Sequence, residues 1–231
     1  MNRDSFERRS FFTRMNAGVA SFAALAGVAM AKPKSVSSSR WEPARHEKDD
    51  WLDQIPGKHR MVFDTTAGQG LGDALFFANN YIRTSQAEYG LDYKDMAVLI
   101  IVRHGSTPFG YSDAMWAKYG MTLAQLSRAE DPKTKQPPGL NLFNADGYGN
   151  LTANRGVTIE AFAKMGGQLG VCSVATRALA GMIANANGAN GNPETIFKEL
   201  TSNLVSSARM VPAGIIAVNR AQERGYSLVT T

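Results

Sequence analysis

The chain has 231 residues, with 25 Lys and Arg against 20 Asp and Glu for a formal charge of +5, and 44% of it is hydrophobic. That length supports one sizeable core, and so weak a basic surplus, with no clustered Lys/Arg stripe, excludes a nucleic-acid binder. One cysteine excludes an internal disulfide, and His46, His59 and His104 are too scattered to announce a metal site, so neither metal nor cofactor is expected.

Residues 1–31 read as an export leader of the twin-arginine kind. A basic stretch, "ERRSFFTR", carries Arg8 and Arg9, and an apolar segment from Ala17 to Ala31 ends in "AMA", a small-x-small cleavage site before Lys32. The apolar run is about 15 residues, short of the roughly 20 that span a bilayer, so the membrane is met only through the leader. A periplasmic chain is expected. Losing Arg3, Arg8, Arg9 and Arg14 against Asp4 and Glu7 lowers its formal charge from +5 to +3. In that oxidising space an unpaired thiol needs either burial or a function.

Residues 32–58 are polar and rich in Pro, Ser and mixed charge, and read as an extended arm. Trp41 and Trp51 are its large apolar anchors, for the body or for a second subunit. The main domain follows at 59–231. "HRMVFDTT" suits a strand, "AGQGLGD" a glycine turn, and "ALFFANNYIRTSQAEYG" a helix closed by Gly90. "MAVLIIVRHG" has the profile of a strand buried on both faces. "LGVCSVA" running into "TRALAGMIANA" is the third strand and its helix. "NPETIFKELTSNL" is a helix with Asn192 before Pro193, "ARMVPAG" the fourth strand, "IIAVNRAQERG" the last helix and "YSLVTT" the last strand. The alternation predicts an α/β domain with an open, mostly parallel sheet of about five strands and helices on both faces. An insertion at 106–157, rich in Pro, Gly, Asn and aromatics, breaks the rhythm; within it "SDAMWAKYG", with Ser112 as N-cap, predicts a short helix.

Ligands of open parallel sheets gather outside the carboxyl ends of the strands. Those ends offer Thr66 with Gly68 and Gly70, Arg103 and His104, Cys172 and Ser173, and Gly214. Cys172 falls where a strand gives way to a helix, so free N–H groups and the positive end of the helix dipole would stabilise a thiolate or a persulfide. Arg103, His104 or Arg177 would add positive charge. Small apolar cysteines are also among the most buried residues, and the position by itself leaves a packed thiol open. The glycine turn has G-x-G-x-G spacing, not the dinucleotide order, and lacks the P-loop lysine, but its amides suit a small anion. Asp64 suits pairing with a basic neighbour, orienting the thiol, or facing a helix cap. There is no G-x-S-x-G elbow for a serine hydrolase.

The C-terminal "ARMVPAGIIAVNRAQERGYSLV" and the cysteine after "GV" resemble the DsrE/DsrF-like family of sulfur-relay proteins. The matching positions are Val211, Pro212, Ala213 and Gly214, then Gln222, then Gly225 and Tyr226, and the similarity covers 59–105 and 158–231. The resemblance implies a three-layer, flavodoxin-like α/β/α domain that assembles into homo-oligomers. It also implies a cysteine, matching Cys172, that carries sulfur as a persulfide and passes it to a partner thiol. The reading is an exported sulfur carrier exchanging with a donor or acceptor protein or a small sulfur compound, in a sulfurtransferase-like role that needs an accessible sulfur. The alternative is a non-catalytic periplasmic protein that binds a small ligand or serves assembly, with Cys172 merely structural. Family members in sulfur transfer are cytoplasmic, so the export leader is a departure, and the insertion at 106–157, which the resemblance does not cover, could cover the thiol or turn the crevice to another ligand.

Overall fold

Seven consecutive apolar residues, Met96–Val102, are all buried and form β2, a strand covered on both faces. This computed structural model describes residues 42–188 and 191–231; the expected leader and the arm as far as Trp41 lie outside them. β2 pairs in parallel with β1 (His59–Thr65) on one side and with β3 (Gln168–Cys172) on the other. β4 (Ala208–Val211) extends the sheet beyond β3, and β5 (Ser227–Thr230) returns beside β1. The result is a five-stranded parallel sheet in the order β4-β3-β2-β1-β5, the middle layer of a three-layer, flavodoxin-like α/β/α fold.

The strand order decides where the helices go. From β1 to β4 every step moves one place the same way, and right-handed crossovers then set all the intervening helices on one face. These are α2 (Gly68–Tyr89), α3 (Asp113–Ser127), α4 (Ile159–Lys164), α5 (Ser173–Ala186) and α6 (Pro193–Ser202). They bury one core with Phe63, Val98, Ile100, Val102, Leu169 and Val171 of the strands. The return from β4 to β5 puts α7 (Gly214–Gln222) on the other face, over Val62, Leu99, Ile101 and Val211. Ile100 and Ile101 are neighbours, yet each is wholly buried in a different core, a contribution of roughly 1.5–3 kcal/mol apiece.

Nine residues of α7 cannot cover that face alone, and the arm supplies the remainder. Its described part folds into a short helix, α1 (Trp51–Gln54), which places Leu52 and Ile55 in the second core, while Trp51 packs at its edge beneath Arg209. Arg224 donates to Asp53 at 3.1 Å and the Tyr226 hydroxyl donates to the Leu52 carbonyl at 2.8 Å, fixing the segment to the end of α7. Among the described residues no helix is long and apolar enough to cross a membrane.

Two predicted boundaries shift for packing reasons. The helix predicted over "SDAMWAKYG" runs on to Ser127, because Gly120 does not end it but leaves room for the Pro138 carbonyl; Ser112 precedes it without a side-chain cap. The predicted glycine turn is instead the first turn of α2. Its glycines admit other segments: a Cβ on Gly68 would stand 2.8 Å from the Phe109 ring, Gly70 lies against Thr231, and Gly72 lies against Ala153.

Candidate functional site

Continuing the register of β2 and β3 by one residue sets Arg103 beside Cys172, and beyond Cys172 comes Val211. Side chains alternate along a strand, so Asp64 follows Val62, Arg103 follows Ile101 and Cys172 follows Gly170 on the α7 side of the sheet. At the carboxyl ends of β1, β2 and β3 this gives a row of carboxylate, guanidinium and thiol. The first turn of α7 roofs it: Gly214 sits so close to the Arg103 stem that a Cβ there would be 2.6 Å from the arginine Cβ.

Cys172 is the N-cap of α5, and its Sγ accepts from the Ala175 amide at 3.5 Å. The Cys172 carbonyl accepts from Thr176 Oγ1 at 2.8 Å, and that hydroxyl lies 2.7 Å from the Tyr111 hydroxyl, so the strand-to-helix junction is pinned from below. Tyr111 is fully buried, and burial pushes its phenol well above the ordinary value. The thiol, at 6% exposure, is recessed at the N-cap of α5 rather than open to solvent.

Arg103 is held in a bidentate pair: Nε to Asp64 Oδ1 at 2.7 Å and Nη2 to Oδ2 at 2.8 Å. The Asp64 side chain is 8% exposed and that of Arg103 is 28% exposed. Hydrogen bonding to Asp64 raises the Arg103 pKa, and burial opposes this. The Arg103 backbone is fixed by Ser106, whose hydroxyl accepts from the Arg103 amide at 3.0 Å and lies 2.9 Å from both the Thr65 and the Arg103 carbonyls.

Of the residues singled out in the sequence, Cys172, Arg103 and Gly214 meet here, with Ser173 part-exposed at the start of α5. Arg177 does not join them: it pairs with Glu194 at 3.3 Å and stacks over Phe197 at 3.9 Å, on the face where α5 meets α6. His104, in a left-handed conformation with φ 55°, turns away from its neighbour Arg103 and with Thr66 lines a separate cavity of 520 Å³. Gly68 lines another of 370 Å³, and Gly70 is occupied by the end of β5. Asp64 is the member of the row least evident from sequence; the signal was an acid in a buried strand opposite a strand ending in arginine. No group of three or more His, Cys, Asp or Glu stands ready for a metal among the described residues. Comparison with family models, with curated proteins and with solved structures finds no match.

Proposed function

We propose that Cys172 carries a sulfane sulfur and exchanges it with a partner thiol. One observation supports this reading above the others: the sole cysteine caps a helix N-terminus with its sulfur, beside an arginine fixed by a buried aspartate. Free amides and a guanidinium are the groups that stabilise a thiolate and the anion of a persulfide. In the step the Cys172 thiolate attacks the outer sulfur of a donor persulfide, R–S–SH. A sulfur–sulfur bond forms to Cys172, the donor's bond breaks, and the donor leaves as the thiolate R–S⁻. The reverse attack by an acceptor thiolate on the outer sulfur unloads the protein, so no outside oxidant or reductant enters. Reaching the recessed sulfur requires the surroundings of the α5 N-terminus to admit the donor's terminal atom.

The reading extends to an exported, homo-oligomeric protein of the DsrE-like kind. Its support is the sequence of residues 1–31 for export and the C-terminal resemblance for the family. Incubation of the mature chain with polysulfide, followed by intact mass measurement, tests the carrier. One added sulfur atom in the native protein and none in Cys172→Ser is expected; an unmodified native chain contradicts it.

A further inference from the structure

The open sheet has two edges, and they are guarded differently. β4, at one edge, carries Arg209 and is followed at once by Pro212. Charge and proline are common means of keeping an edge strand from pairing with another chain. β5, at the other edge, has neither: residues 227–231 read "SLVTT", and Leu228 is 38% exposed.

The ladder decides which groups β5 presents. The Thr231 amide donates to the Asp64 carbonyl at 3.2 Å, and alternate residues of a parallel strand bond to the same neighbour. Val229 and Thr231 therefore turn toward β1, while Leu228 and Thr230 turn their amides and carbonyls outward. Among the described residues none of those four groups has a hydrogen-bond partner. The side chains divide too: Val229 packs on the core beneath α2, and Leu228 takes the opposite face.

An antiparallel second copy satisfies all four groups. With a two-fold axis through Val229, Leu228 of each protomer lies opposite Thr230 of its partner, and such a pair exchanges both its hydrogen bonds. Val229 then faces its own copy at the closer, non-hydrogen-bonded spacing, and no charge meets a like charge because the strand carries none. So short a ladder falls below the roughly 800 Å² per partner of a stable interface, so a neighbouring surface must join it. α2 supplies one: Gly70 lies against Thr231, and Phe77, about two turns further along the same face of the helix, is 45% exposed.

We propose that the β5 edge is the interface with a second copy of this chain, continuing one sheet into the next. This gives the homo-oligomeric reading above its surface, and it rests on that part of the reading alone, not on sulfur transfer.

Sedimentation of the mature chain, with hydrogen exchange read at single amides, tests it. A concentration-dependent dimer is expected in which the Leu228 and Thr230 amides are protected; on dilution to the monomer these two lose protection while Val229 keeps it. Leu228→Lys sets two like charges about 7–8 Å apart across the axis, and should weaken the dimer by about tenfold or more with the far-UV circular dichroism unchanged. Met121→Lys, at an apolar side chain on α3 that is 77% exposed, should dimerise as the native chain does, and sulfur loading of Leu228→Lys should match the native chain. A native chain that is monomeric at every concentration would overturn the interface and the homo-oligomeric reading together. A dimer that survives Leu228→Lys, or Leu228 and Thr230 amides already protected in the monomer, would overturn the interface alone.

Discussion

The Asp64–Arg103 pair makes an asymmetric prediction about its two halves. Asp64 is nearly enclosed, at 8% side-chain exposure, whereas Arg103 keeps 28% of its side chain in solvent. Arg103→Met retains the stem packed beneath Gly214 but leaves a buried carboxylate facing no cation. Removing one partner of a buried pair costs about 3–5 kcal/mol, and since Arg103 is part-exposed the lower end, about 3 kcal/mol, is expected. Asp64→Leu leaves a guanidinium that can turn toward water, and about 1 kcal/mol is expected. The double variant exchanges the whole pair for apolar contact, which is often close to neutral, so it should be more stable than Arg103→Met alone. Urea unfolding of the four proteins reads all these differences. Equal losses in the two single variants, or strict additivity in the double, would refute the claim that a buried carboxylate depends on this arginine.

Three further expectations follow from neighbouring contacts. Gly214→Ala places a methyl 2.6 Å from the Arg103 Cβ, so overpacking should cost about 1–3 kcal/mol in chemical unfolding and slow sulfur loading as the guanidinium is displaced; a neutral result would contradict the close approach. Tyr111→Phe removes a fully buried hydroxyl contact to Thr176, with an expected loss of about 1 kcal/mol by thermal unfolding, and an unchanged protein would mean the contact contributes nothing. Asp131 accepts from the Lys133 and Thr134 amides and from the Tyr148 hydroxyl, and the Lys133 amide above all holds its pKa below the ordinary value. A depressed carboxylate stabilises the fold above the ordinary carboxylate range, about 4, and the contribution is lost as pH falls through the lowered value. The protection of the Lys133 and Thr134 amides, measured as hydrogen exchange relative to the intrinsic rate at each pH, should therefore fall on acidification in that range, and Asp131→Asn should remove most of the dependence.

The layers were legible from sequence because burial on both faces writes a strand as an unbroken apolar run, and "MAVLIIV" can form little else beside charged, glycine-bearing ends. The same logic found the ends of β2 and β3, and with them Arg103 and Cys172. Sequence could not say which side of the sheet each residue faces. Arg103 and His104 are adjacent in the chain, but alternation and the left-handed turn at His104 send one to the thiol and the other to a cavity across the sheet. The glycines of "AGQGLGD" read as a turn because each costs a helix about 1 kcal/mol relative to alanine. What offsets that cost is the approach of Phe109, Thr231 and Ala153, contacts made by segments distant in the chain. Arg177 misled for a related reason: it lies one turn from Cys172 in sequence but is drawn to Glu194 and Phe197 of α6. The recess around Cys172 was equally invisible, since the spacing of residues along a strand does not say what packs over its last side chain.

Sulfur transfer itself is read most directly with radiolabelled polysulfide. The loaded protein is trapped by alkylation, digested and mapped, and a second portion is offered a small acceptor thiol before trapping. The account predicts label on the peptide that contains Cys172 and its passage to the acceptor. Label that is absent, spread over other peptides, or fixed on the protein in the presence of acceptor would contradict it.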